Sequence, residues 1–229
     1  MSRHEDTNRP SRILSVFFQS QCLCGRSSLQ DCREVSPQDS KLWSEVVSGP
    51  SSGKRYPSDL ETRRTTKAGV EIFLRPIRSG DEPPYKAFLQ SLSSRSIYLK
   101  FFRTIQPTDD LVERMADVDY VHRMTILAFR AGEGEKSILG MARYILNPDE
   151  RTAEVYFAVR DDHQNLGIGR ELLSYLILVA RKQGVQGFTA QVVVDNRRML
   201  HLFRALEGRE FKINRRMEAG VFHLDMEFL

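Results

Sequence analysis

The chain predicts a fold of class α/β (α+β), and three observations carry that prediction. Short runs rich in Val, Ile, Phe and Tyr show near-alternation of apolar and polar residues, the period of half-buried strands. Longer segments with apolar residues on one face alternate with them, as helices would. The stretch from Thr152 to Lys182 then joins an apolar strand, a short polar turn containing Gly167 and Gly169, and a long amphipathic helix.

Taken in order, Val70-Glu71-Ile72-Phe73-Leu74-Arg75-Pro76-Ile77 reads as the opening strand, ended by Pro76 and the turn Ser79-Gly80-Asp81. Helical signals cover 82–92, 95–102 and 108–117, the last with Thr108 placed to cap it. Strands are expected at 122–130 and 137–145, separated by Gly132-Glu133-Gly134-Glu135. Asn147-Pro148-Asp149-Glu150 forms a turn. Strand 152–159, helix 168–183, strand 187–194 and a helix over 196–206 follow, and strands at 210–216 and 220–228 close the pattern.

Composition sets the frame around these elements. Of 229 residues, 41% are hydrophobic and 28% charged, ordinary for a globular domain with a sizeable core. Residues 1–67 hold 11 basic and 8 acidic side chains, against 23 and 22 over residues 68–229. The body is therefore close to neutral, which argues against nucleic acid as a partner. Residues 1–67 are poor in periodic apolar residues and contain Ser48-Gly49-Pro50-Ser51-Ser52-Gly53, so they read as a flexible, irregular N-terminal extension. A short helix at 40–47 could dock Leu42, Trp43 and Val46 on the body. No run of about 18 apolar residues occurs, so no membrane is expected as a partner. Cys22, Cys24 and Cys32 lack the spacing of a zinc or redox site and read as free thiols of a cytoplasmic protein that holds no metal.

The chemistry lies in the turn after strand 152–159. A glycine-rich turn opening a helix offers unpaired N–H groups and the positive end of the helix dipole, which together suit a phosphate. Gly167-Ile168-Gly169-Arg170-Glu171-Leu172 is not a dinucleotide fingerprint, because Leu172 stands where Gly or Ala is needed. Gly49-Pro50-Ser51-Ser52-Gly53-Lys54-Arg55 is one residue short of a P-loop and lacks its Ser/Thr. What fits is Gln164-x-x-Gly167-x-Gly169, which resembles the Q/R-x-x-G-x-G/A pyrophosphate loop of the GNAT superfamily of N-acetyltransferases.

Further strings resemble the Pat-type bacterial protein lysine acetyltransferases within that superfamily. Ser93-Ser94-Arg95-Ser96-Ile97-Tyr98-Leu99-Lys100-Phe101-Phe102 is similar to their S-x-x-S-x-Y-x-R-F-F stretch. Val118-Asp119-Tyr120-Val121-His122-Arg123-Met124 is similar to I-D-Y-x-x-x-M, and Asp195-Asn196-Arg197-Arg198-Met199-Leu200 to E-N-x-x-M-L. The resemblance covers about 160 residues and implies the GNAT fold, a twisted mixed β-sheet flanked by helices. Many Pat-type proteins carry an acyl-CoA-synthetase-like region or a cyclic-nucleotide-binding domain, and neither fits within residues 1–67.

The resemblance also implies a reaction: transfer of an acetyl group from acetyl-CoA to an amine, with a protein lysine ε-amine as acceptor. Glu154 occupies the place of the strand glutamate that serves as general base. A carboxylate among apolar strand residues has its pKa raised, which suits that task. On parity, Glu154 shares a face with Tyr156 and Ala158, and either the cleft or the solvent could lie there. The backbone of Ala158 and Val159 is implied to pair with the pantetheine arm and to supply the oxyanion donor. Gln164, Asn165, Leu166, Gly167, Ile168, Gly169 and Arg170 are implied to hold the pyrophosphate, and Asn196 to bond pantetheine or cap its helix. Tyr98, Asp119 and Tyr120 are candidates for the acceptor cleft. Phe203 stands near the place of a tyrosine that protonates the leaving thiolate in many members, and phenylalanine cannot donate. Two alternatives keep the same loop: a small-molecule amine acetyltransferase, and a non-catalytic acetyl-CoA sensor.

Overall fold

The computed structural model describes residues 55–101, 106–132, 135, 137–147 and 151–229. The three cysteines, the expected helix at 40–47 and the Gly49–Gly53 string lie outside the described residues. Among the described residues, thirteen α-helices and β-strands follow one another: β1 Thr62–Thr65, β2 Glu71–Pro76, α1 Glu82–Gln90, α2 Ser94–Phe101, α3 Asp109–Ala116, β3 Arg123–Arg130, β4 Ile138–Leu146, β5 Thr152–Val159, α4 Ile168–Lys182, β6 Gly187–Val193, α5 Arg197–Leu206, β7 Phe211–Glu218 and β8 Val221–Phe228.

Each expected strand and helix from residue 70 onward is present, with ends shifted by one or two residues. The local reasons are visible. Thr108 caps α3 by accepting the Leu111 N–H at 3.3 Å. Gly184, at φ 83°, ends α4, and the Val185 N–H turns back to the Ala180 carbonyl at 3.1 Å. Asn196 caps α5 by accepting the Met199 N–H at 3.2 Å. Replacing Asn196 with Ala removes that acceptor and is expected to cost about 1 kcal/mol, measured as a lower urea midpoint with an unchanged m-value.

The expectation of an irregular extension up to residue 67 is corrected over its described part. Thr62–Thr65 pair antiparallel with Glu71–Leu74 as an edge strand, and Leu60 is buried in the core. The sequence Thr-Arg-Arg-Thr carries little apolar signal because only one side of this edge strand is covered.

The strands form one sheet in the order β1-β2-β3-β4-β5-β6-β8-β7. Neighbours are antiparallel except β5 and β6, which are parallel and joined by the α4 crossover. Each face carries its own core. On one face α4 and α5 pack Leu172, Leu176, Ile177 and Phe203 onto Ile126, Ala142, Val155 and Phe157. On the other, α1, α2 and α3 pack Phe88, Leu89, Ile97 and Val112 onto Leu127, Phe129 and Met141. Burial on both faces explains why the interiors of β3 and β4 are largely apolar. Among the described residues, no helix is long and apolar enough to cross a membrane, and no three His, Cys, Asp or Glu side chains gather as a metal site.

Candidate functional site

The site begins where two strands part. β5 pairs with β6 only over Thr152↔Gly187, Ala153↔Phe188 and Glu154↔Thr189. Beyond that point β5 continues along β4 as far as Val159↔Gly140, and β6 continues along β8 as far as Val193↔Val221. The ladder between β5 and β6 therefore ends at Glu154 and leaves the Val155–Val159 edge open. An open edge offers alternate N–H and C=O groups to any extended chain that carries amides.

The pleat assigns the side chains. Ala153, Val155 and Phe157 point into the α4 core and are buried. Glu154, Tyr156 and Ala158 lie on the opposite face, the one covered by α1, α2 and α3. Of the two faces open to Glu154 from sequence, it takes the one that α1, α2 and α3 cover, and it is half-buried there. Burial raises the pKa of its carboxyl, and a hydrogen bond from the Tyr156 hydroxyl at 2.6 Å opposes that rise in part. Tyr156 itself is pushed well above the ordinary phenol range by burial and by the adjacent Glu154, so it stays protonated and donates.

Register extends this polar row across the sheet. Thr125 lies opposite Arg143, and Arg143 opposite Tyr156. Arg143 is 7% exposed, donates Nη1 to the Met115 carbonyl, and has no partner for Nε among the described residues. The Tyr85 hydroxyl and the Thr125 hydroxyl are likewise buried without a partner there. The next row holds Leu127, Met141 and Ala158. Lys100 reaches it from α2, with Nζ 3.3 Å from Met141 Sδ and 5.7 Å from the centre of the Tyr156 ring.

The loop after β5 is fixed from several sides. Gln164 Nε2 donates to the Val159 carbonyl at 3.1 Å, and Arg198 of α5 donates to Gln164 Oε1. Asn165 and Gly167 take positive φ, 64° and 86°, and Gly167 is the N-cap of α4. A Cβ at Gly167 would lie 3.2 Å from the Thr66 Cβ, so the β1–β2 turn walls the loop. The Arg170 and Glu171 N–H groups return to the Gly167 carbonyl at 3.1 and 3.2 Å. The donors left for an anion are those ahead of them, at the positive end of α4. Leu166 packs against the core and Ile168 is buried, so these two shape the loop through their apolar side chains. Gly169 has room for a methyl group, with Leu202 Cδ2 3.7 Å from its Cβ direction. Gly140 has none: a Cβ there would meet the Ala158 carbonyl oxygen at 3.0 Å and the side chains of Leu172 and Val159.

The remaining sequence-predicted residues take these positions. Asn196 is engaged as a helix cap. Tyr98 lies on the outer side of α2, 49% exposed. Asp119 accepts from the N–H groups of Val121, His122 and Arg123, holding the turn before β3. Tyr120, at φ 61°, donates its hydroxyl to the Ile77 carbonyl at 3.0 Å. Phe203 is buried between Phe157 and Phe211, with ring centres 6.4 Å away in each case. The residues that sequence reasoning missed are Tyr156 as the partner of Glu154, Arg143, Lys100, Arg198, Gly140 and Thr66. For Lys100 a signal existed: it is three residues from Ile97 and four from Ser96, on the inward side of α2.

The chain is similar to known proteins in both sequence and fold. The family model described as "Acetyltransferase (GNAT) family" matches residues 93–207. "Acetyltransferase PA5475" of Pseudomonas aeruginosa is 30% identical over 139 residues, covering 60% of this chain and 75% of its own. "Acetyltransferase Pat" of Mycolicibacterium smegmatis is 34% identical over 134 residues, covering 58% of this chain but only 40% of its own. Among solved structures, the GNAT domain of S. lividans PAT superposes with a TM-score of 0.68 at 27% identity, covering 76% of this chain and 100% of that one.

Proposed function

The chain belongs to the GNAT acetyltransferase family, an N-acetyltransferase with acetyl-CoA as co-substrate, and from that premise we propose that it acetylates protein lysine ε-amines with Glu154 as general base. The observation that carries this reading is the placement of Glu154. Its carboxylate stands on the face covered by α1, α2 and α3 at the point where β5 and β6 part, with its proton affinity raised by burial.

Acetyl-CoA supplies an activated acetyl thioester; the rest falls to the chain. An acceptor lysine is almost wholly ammonium near neutrality, its unperturbed pKa being about 10.4, so a proton must leave before attack. Glu154 takes that proton, directly or through water. The Tyr156 hydroxyl, 2.6 Å away, orients the carboxylate and leaves its other oxygen for the acceptor. The open edge of β5 provides backbone N–H groups around Ala158 and Val159 for the pantetheine amides and the oxyanion. The loop from Gln164 to Arg170 holds the pyrophosphate by its free N–H groups, with Arg170 and Arg198 adding positive charge nearby. Kinship with the M. smegmatis Pat supports a protein acceptor.

The test is release of CoA thiol from acetyl-CoA with folded proteins and peptides bearing lysine, compared with free small amines, across pH. Lysine-bearing proteins are expected to give the faster release. Because the folded pKa of Glu154 is raised, its base form is lost as pH falls through that raised value. The acid limb of kcat should therefore lie above the ordinary carboxylate range and vanish in Glu154→Gln. Release no faster with protein lysines than with small amines would sink the protein acceptor, and an acid limb that survives in Glu154→Gln would sink the base.

A further inference from the structure

One lysine of the chain itself lies on the face where the reaction proposed above would take its acceptor. The N-terminus of α2 is bound to the end of β5, with Asp161 accepting from the Ser93 N–H, the Ser93 hydroxyl and the Ser96 hydroxyl at 2.8–2.9 Å. So anchored, the helix turns Ile97 inward to 6% exposure and Tyr98 outward. Lys100, one turn beyond Ile97, comes down over Met141 and Tyr156. Met141 is the register partner of Ala158, and Tyr156 holds the carboxylate of Glu154. An amine and the open β5 edge thus share one small area of the sheet, and Tyr156 links that area to the carboxylate of Glu154.

The surroundings also favour a nucleophilic amine. Among the groups that face Lys100 are Arg143 and Tyr156 from the sheet, and Tyr156 in turn holds Glu154. Burial and the Arg143 guanidinium push the Lys100 ammonium down to about 7. The Pat-type pattern carries arginine at this place, and an arginine keeps its proton and accepts no acetyl group.

We propose that Lys100 is a self-acetylation site, modified by acetyl-CoA bound to the same chain. The proposal rests on the acetyl-transfer reading above. The neutral ε-amine attacks the thioester carbonyl carbon; the N–C bond forms and the C–S bond breaks, the electron pair leaving with sulfur. The amine proton passes through water to Glu154, and the CoA thiolate takes a proton from water. In sum, a lysine ammonium and acetyl-CoA give acetyl-lysine, CoA thiol and one proton. The product has lost the cation over Tyr156 and has an acetamide on the cleft face, which closes that face to an outside acceptor.

The full chain incubated with acetyl-CoA and no acceptor is read by intact mass and peptide mapping. One acetyl group on Lys100 is expected, with a rate constant unchanged on dilution of the protein. In Glu154→Gln it should form at least about tenfold more slowly. Three results overturn the proposal: no acetyl group on Lys100, equal rates in wild type and Glu154→Gln, or a rate proportional to protein concentration. Acetyl-CoA binding is measured by calorimetry in the same preparation. If Lys100 stays unmodified while binding persists, the self-acetylation proposal falls alone; if binding is lost too, the reading beneath falls with it.

Discussion

Glu154→Gln is expected to lower kcat by about 10²–10⁴-fold, the usual contribution of a positioned acid or base, while acetyl-CoA affinity stays within about twofold. The loss corresponds to about 3–5 kcal/mol of transition-state stabilisation. Glutamine has nearly the same shape and its carbonyl can still accept from the Tyr156 hydroxyl, so β5 and its open edge keep their geometry. What it cannot do is take a proton. The glycine-rich loop begins after β5, ten residues along from Glu154 at Gln164, and is held there by the Val159 carbonyl rather than by this carboxylate. Steady-state thiol release gives kcat, and calorimetry gives affinity. A kcat within a few-fold of wild type would remove Glu154 from the chemistry and leave proton removal to bulk solvent or to another group on the same face.

Gly167→Glu should abolish measurable acetyl-CoA binding or weaken it by about a hundredfold or more, and three effects act in the same direction. The residue sits at φ 86°, where a side chain costs about 1 kcal/mol or more. Its Cβ would press against Thr66 at 3.2 Å, so either the loop or the β1–β2 turn must give way. A carboxylate at the N-terminus of α4 also repels a phosphate. Two unit charges about 4 Å apart near a surface interact by about 4 kcal/mol. The companion Gly167→Ala separates these effects, since it keeps the strain and omits the charge. Binding weakened equally by both would point to loop geometry, whereas binding untouched by Gly167→Glu would place the pyrophosphate elsewhere.

The strand–turn–helix of Thr152–Lys182 was legible because all its determinants are local: alternating apolar residues, two glycines, then an amphipathic run. The same holds for the caps at Thr108 and Asn196, where a side chain bonds a backbone group three residues away. The candidate base could be placed on a strand and given a parity, but not a side, because an isolated strand has two equivalent faces. Only packing of α1, α2 and α3 onto one face decides that Glu154, Tyr156 and Ala158 lie under those helices rather than in solvent.

Contacts between distant residues were out of reach for a different reason. Thr125, Arg143 and Tyr156 become neighbours through the register of three strands, and a slip of one residue in any strand would scatter them. Lys100 meets Tyr156 only because Ser93 and Ser96 bind Asp161, 68 and 65 residues away. Thr66 lies in a stretch whose composition reads as irregular, yet pairing of Thr62–Thr65 with β2 brings it against Gly167. The sequence by itself determined the elements from residue 70 onward, their order, and a glycine-rich turn between an apolar strand and a long helix, since short-range propensity and periodicity encode them. The tertiary structure decided where β5 and β6 part, which face of the sheet carries Glu154 and which hydroxyl holds it, because those depend on strand pairing and burial that no local run of residues carries.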